Sequence, residues 1–262
     1  MTTLAVAAQD AATMLWRELK HTARYPMILI ASILTPVVFL LLFVYILGGP
    51  IGHGLGDAAR GAPYVDFLVP GILMMTVTAA CSTTAITVCT DMTGGIVDRF
   101  RTMAVGRGAL LSGHVAGNVL RTLGTTTFVT GVALLVGFRP RASVADWFAV
   151  AGIIVAFSFA LAWLSAALGL ISKTVAGANT ATLPLLILLP FLSSAFVPAG
   201  SMPAGVRWFT AHQPFTPVVE SLRALLTGAP LGNTAYVALA WCAAIALIGY
   251  LWSRAAFRSR TR

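Results

Sequence analysis

Six long apolar runs, separated by stretches that hold nearly all the charge, set the pattern of this chain. They cover residues 27–47, 68–89, 113–136, 148–171, 183–197 and 235–252. A helix rises about 1.5 Å per residue, so roughly 20 apolar residues cross a bilayer core of about 30 Å. Most of the runs reach that length. None alternates as a barrel strand would, and only helices and closed barrels satisfy their backbone groups in lipid. The pattern predicts an all-α membrane protein with six transmembrane helices.

The segments outside the runs carry patterns of their own. Within 4–24, Leu4, Ala8, Ala11, Leu15 and Leu19 share one helical face, and Asp10, Arg17, Lys20 and Arg24 share the other. That is an N-terminal amphipathic helix suited to the headgroup plane, ended by Pro26. Glu18 falls near its apolar edge, where it either pairs locally with His21 or Thr22 or meets another subunit. The glycines of 48–61 form a connector, since no Gly-Lys-Ser/Thr follows as a phosphate loop needs. Residues 198–234 are too long for a tight turn and too apolar for a solvated loop. Ser201 before Pro203, Thr216 before Pro217 and a terminal Gly228 predict two short helices, outer and re-entrant, ahead of the last span.

Composition sharpens this picture. Hydrophobic residues make up 58% and charged residues 10% of the 262, outside the usual soluble range. The membrane domain is expected over 27–254, preceded by the interfacial helix within 1–26 and followed by a basic tail, 255–262. The net charge is +9, but the basic residues sit beside run ends, as topology signals do, and not as a nucleic-acid surface. With the N-terminus inside, Arg17, Lys20, Arg24, Arg99, Arg101, Arg107, Lys173, Arg254, Arg258, Arg260 and Arg262 are cytoplasmic. Arg60, Arg139, Arg141, Arg207 and Arg223 are then external, and Arg121 lies in a span. Both termini are therefore expected in the cytoplasm, with the chain multi-pass in the inner (plasma) membrane. Cys81, Cys89 and Cys242 all fall in spans without metal-ligand spacing.

Three groups of residues are candidates for function. Segment 91–107 carries Asp91, Asp98, Arg99, Arg101 and Arg107, with a Gly94-Gly95 break. Residues 96–103 can then form a short charged helix, either docking on a soluble partner or merely fixing topology. In the third run, His114, Asn118, Arg121 and Thr125 share one helical face. They either line a substrate pathway, or Arg121 snorkels to headgroups with His114 at the interface. Glu220 and Arg223 stand three apart on the second outer helix and can pair. The glycines 113, 117, 124 and 131 offer a close-packing surface, and Pro36, Pro184 and Pro190 imply kinks. No nucleotide-binding loop, nucleophile elbow, metalloprotease motif or other catalytic or metal constellation is present. The chain therefore needs a gradient or another chain as its energy source. A proton-coupled secondary transporter would need a carboxylate within a span, and an intramembrane enzyme using His114, Asn118 and Arg121 would need a nucleophile paired with a base.

Two motifs resemble the membrane subunit of ABC type-two exporters, close to the daunorubicin-resistance permeases. One is Asp91-x-x-x-Gly95-x-x-Asp98-Arg99-x-Arg101-x-Met103, followed by Arg107 and Arg121. The other is LPFLSSAFVPAGSMPAGVRWFTAHQPFTPVVESLRALLTG, residues 189–228. The resemblance implies an exporter for an amphipathic drug, antibiotic or lipid-like molecule. It implies that Asp91, Gly94, Gly95, Asp98, Arg99 and Arg101 form or flank a coupling helix meeting a separate ABC ATPase. The N-terminal helix with Arg17 and Glu18 would touch that ATPase too. A second permease chain, identical or related, would complete the pore. ATP and Mg would be held by the partner, and this chain would bind no cofactor of its own.

Overall fold

The computed structural model describes residues 26–48, 64–94 and 107–260, and every regular element among them is helical. Helix α1 (Pro26–Leu41) runs on through a π-turn, Leu42–Leu47. Helices α2 (Tyr64–Thr93) and α3 (Arg107–Val136) follow. Helix α4 (Val144–Ile171) opens on a capping box. The Ser143 hydroxyl accepts from the Asp146 amide, and the Asp146 carboxylate accepts from the Ser143 amide. Helix α5 (Val175–Leu183) continues through a second π-turn, Pro184–Leu188, and a last turn, Leu189–Phe191. Two short helices, α6 (Ala204–His212) and α7 (Phe215–Thr227), precede α8 (Thr234–Arg260). The expected N-terminal amphipathic helix, most of the Gly-rich connector and the 96–103 segment lie outside the described residues.

Among the described residues four helices are long and apolar enough to cross a membrane: Tyr64–Thr93, Leu111–Val136, Val144–Ile171 and Thr234–Arg258. Two shorter apolar helices, Ser32–Ile46 and Val175–Phe191, correspond to the first and fifth runs. The fifth is displaced toward the N-terminus relative to its apolar run. Its first turns contain Thr174, Asn179, Thr180 and Thr182, which read as loop. Thr174 and Thr180 are exposed and bond within their own helix, whereas Thr182 is buried against α2. Thr174 caps the Gly177 amide, Thr180 donates back to the Ala176 carbonyl, and Thr182 bonds Ser82 of α2 at 2.8 Å. Two short helices form in the expected segment: α6 starts after Pro203 as expected, α7 starts after Pro214, ahead of the Thr216–Pro217 signal, and Gly228 closes α7 in the left-handed region at φ 72°.

The bundle is built around α2 and α4, which run parallel and are buried over most of their length. Gly169 of α4 sits against Ala85 of α2 so closely that a Cβ would overlap the Ala85 carbonyl. Helix α8 lies parallel to α4 with equal intimacy: a Cβ on Gly249 would stand 2.6 Å from the Leu164 nitrogen. Ser253 donates there to the Trp163 carbonyl at 3.1 Å, and the Trp163 and Tyr250 rings meet edge to face at 5.0 Å. Without a hydrophobic driving force between helices in lipid, such small-residue contacts gain dispersion that bulky side chains cannot. Helix α3 runs antiparallel to α2 and α4, and α7 packs across α2, α4 and α8. Of the glycine face expected on α3, Gly124 and Gly131 point into open space.

Two apolar cores result. The larger contains Leu68, Ile72, Phe157, Leu161, Phe215 and Leu222. A smaller one gathers Val88, Leu111, Val115, Ala166, Leu170 and Phe257, with Met92 against it. It joins the ends of α2, α3, α4 and α8 at the side of the bundle that carries both ends of the described chain.

Candidate functional site

Polar side chains in these helices form three groups at three depths. Most hydroxyls return to their own helix, as Thr76, Thr87, Thr90, Thr126 and Thr130 do by donating to the carbonyl four residues back. The exceptions bond from helix to helix.

At the smaller core, His114 Nε2 lies 3.0 Å from Asp91 Oδ2, and both residues are buried. Asp91 is near the end of α2 and His114 is in the second turn of α3. The Cys89 thiol reaches the Ser172 carbonyl, tying α2 to the end of α4. A buried carboxylate is costly unless paired and hydrogen-bonded, so its meeting with the imidazole is a structural requirement of this packing.

The middle group is built on α3. Asn118 Nδ2 donates to Ser158 Oγ of α4 at 3.2 Å and to Cys81 Sγ of α2 at 3.7 Å. Ser158 in turn donates to Thr122 at 3.2 Å. Arg121 stands near the midpoint of α3, roughly 20 Å from either end at 1.5 Å per residue. Its Nη2 donates to the Ala80 carbonyl at 3.4 Å and to Asn118 Oδ1 at 3.3 Å. The guanidinium therefore bonds inward to α2 and is partly buried. Thr125 is buried too, but donates to the carbonyls of Arg121 and Thr122. Of the four residues sharing the α3 face, His114, Asn118 and Arg121 thus face neighbouring helices of the same chain. Ser158, Thr122 and Cys81 complete the group and were not singled out from the sequence. The small polar residues Ser158 and Ser165, two turns apart on α4, were the available signal.

At the opposite end, Arg223 of α7 reaches across to two other elements. Nε and Nη2 donate to the Phe67 carbonyl at 3.3 Å, Nη2 donates to the Ser194 carbonyl at 2.8 Å, and the guanidinium lies 3.8 Å from the Phe67 ring centroid. Burial pulls the guanidinium down to about 10, with Glu220 opposing the shift, so it remains a cation at neutral pH. Arg223 thus bonds two carbonyls and feels Glu220 through the electrostatic field. Nearby, buried Asp66 accepts from the Arg139 amide at 3.1 Å, holding the start of α2 to the chain leaving α3. Thr210 and Gln213 both donate to the Leu192 carbonyl at 2.6 Å, anchoring α6 to the turn after α5. Asp66 lies two residues ahead of the apolar run at 68–89, so hydropathy alone does not mark it.

Gly95, Asp98, Arg99, Arg101, Arg17 and Glu18 lie outside the described residues. Gly94 ends α2, its amide donating to the Thr90 carbonyl at 2.8 Å. Among the described residues no group of three His, Cys, Asp or Glu side chains is placed to hold a metal.

Long apolar helices whose internal polar groups bond helix to helix define a multi-pass α-helical membrane protein. The chain belongs to the ABC-2 type transporter family, whose model matches residues 9–227. It is 30% identical over 227 residues to the daunorubicin resistance ABC transporter permease protein DrrB1 of Streptomyces coeruleorubidus, covering 86% of this chain and 77% of that one. It is 24% identical over 235 residues to the probable doxorubicin resistance ABC transporter permease protein DrrC of Mycobacterium tuberculosis, covering 88% and 82%. A shorter match, 29% over 116 residues, joins it to the inner membrane transport permease YadH of Escherichia coli, covering 44% and 45%.

Proposed function

We propose that this chain is the permease subunit of an ATP-driven exporter that moves an amphipathic drug, antibiotic or lipid-like molecule out across the plasma membrane. The observation that carries the reading is the family match over residues 9–227, joined by relatives named for drug resistance. Helices α1 and α5 complete a six-span domain with the four longer helices, and both termini face the cytoplasm. Helices α6 and α7 sit at the outer leaflet over the exit. Two permease chains pair, an ABC ATPase docks below each, and ATP with Mg binds there. Segment 95–101 and the N-terminal helix receive the ATPase, and the permease contributes conformational change. Arg121 and Asn118, polar at mid-membrane depth, set the polarity of the bundle beside the pathway.

The test is co-expression with a cognate ABC ATPase, followed by ATPase assay and transport in vesicles. The proposed function requires that the chain be silent alone, co-purify with an active ATPase, and stop transporting when ATP is depleted with the proton gradient intact. One observation favours a second reading: the buried Asp91–His114 pair is a carboxylate and an imidazole of the kind proton relays use. Transport that persists without ATP and collapses with the gradient would establish that reading instead.

A further inference from the structure

We propose that Asp91 and His114 are positioning residues for coupling: their buried contact locks the ends of α2 and α3 into one unit, so that a displacement at those ends is transmitted to the whole bundle. This rests on the permease reading above. It gives Asp91 a role inside the bundle, beyond the one the family resemblance implies, which is to form or flank a coupling helix that meets the ATPase.

Three observations support it. Asp91 is buried, with its carboxylate 3.0 Å from His114, so it faces α3 and not the bundle exterior. The pair spans the two helix ends from which residues 95–106 leave and to which they return. Both helix ends also belong to the smaller apolar core, which includes Leu111 and Val115 of α3, Leu170 of α4 and Phe257 of α8, with Met92 beside Asp91 packed on it. That core is separate from the larger one. The four helix ends are therefore packed together, with a buried carboxyl–imidazole hydrogen bond across the α2–α3 seam. Packed cores switch between discrete arrangements more readily than they deform. A joint that slackened at this seam would let α2 move without α3.

The test uses the full chain co-expressed with its ATPase, in nanodiscs. An environment-sensitive fluorophore is placed on Ser201→Cys, an exposed position in the turn before α6; the native Cys81, Cys89 and Cys242 are buried. ATP is the probe, and the amplitude of its fluorescence response is read together with the amount of ATPase that co-purifies. Asp91→Ala and His114→Ala are expected to keep the ATPase bound and to lose about fivefold or more of the amplitude, the lower end of ordinary inter-site coupling. The exchanged pair, Asp91→His with His114→Asp, is expected to restore it. Asp91→Asn, which keeps the side-chain volume, serves if the alanine variants do not fold, and is expected to lose amplitude without losing the ATPase. Full amplitude in any well-folded single variant overturns the inference. So does loss of the ATPase from Asp91→Ala or Asp91→Asn with amplitude per bound ATPase unchanged, which would make Asp91 a docking contact. An unmodified chain that binds no ATPase overturns the permease reading itself.

Discussion

Replacing Arg223 by Met should loosen the α7 end of the bundle by an amount the geometry sets. The side chain makes one short charge-assisted bond, to the Ser194 carbonyl at 2.8 Å, and a longer shared one to Phe67 at 3.3 Å. Hydrogen bonds to charged groups contribute about 1.5–3 kcal/mol each, and a cation over an aromatic face about 0.5–2 kcal/mol. Burial opposes the charge, which its lowered pKa of about 10 records, so the low end of each range applies and the sum is about 3.5 kcal/mol. For a chain of this size that lowers the midpoint of unfolding by roughly 7–14 °C. The assay is apparent thermal stability in a fixed detergent at a fixed scan rate, since membrane proteins unfold irreversibly. Arg223→Lys should recover about half the loss, because an ammonium lacks the planar fork that serves two carbonyls and a ring. Glu220→Gln should shift the midpoint little. A midpoint for Arg223→Met within about 2 °C of the parent, or a larger loss from Glu220→Gln, would refute the assignment and return the stabilisation to a Glu220–Arg223 ion pair.

Other substitutions probe the remaining contacts. Gly249→Val forces a side chain toward Leu164, 2.6 Å from the nearest atom; α8 should separate from α4, with loss of monodisperse protein on size exclusion. Asn118→Leu removes the bonds to Ser158 and Cys81 and should lower stability by about 1 kcal/mol, the usual worth of an interhelical hydrogen bond in a membrane, read as a small shift in apparent midpoint. Thr182→Val breaks the bond to Ser82 and should cost about 0.6–1.7 kcal/mol; a Ser82→Ala/Thr182→Val double variant no worse than either single would confirm that the two hydroxyls serve each other.

The helices were legible in the sequence because lipid leaves the backbone no alternative, and 20 apolar residues read the same in any order. The two short helices α6 and α7 were legible from Pro203 and Gly228 for a similarly local reason. The fifth helix starts several residues before its apolar run because Thr174, Asn179 and Thr180 are polar and exposed on it, and only Thr182 is drawn into the bundle, by Ser82 of α2. The polar groups show the same division. A shared face on α3 was readable from spacing, but its partners Cys81 and Ser158 come from other helices, and nothing in a single segment announces them. Spacing allows Arg223 to pair with Glu220 three residues away, but its hydrogen bonds go to the Phe67 and Ser194 carbonyls of distant elements.

The π-turns in α1 and α5 carry a further consequence. A π-turn holds one more residue than the α-helical turn it replaces, and each residue accounts for about 100° around the axis. Everything beyond Leu42 in α1, and beyond Pro184 in α5, is rotated by that amount relative to an uninterrupted helix. In α1, Phe43 is buried while Tyr45 and Ile46 are exposed. A periodicity fitted to the first half of either helix will therefore point to the wrong side in the second. A mutational scan along these segments should show a phase slip at Leu42 and at Pro184. Deleting a single residue inside either turn should move the slip's downstream half back into phase, turning the helix's far end like a key in a lock.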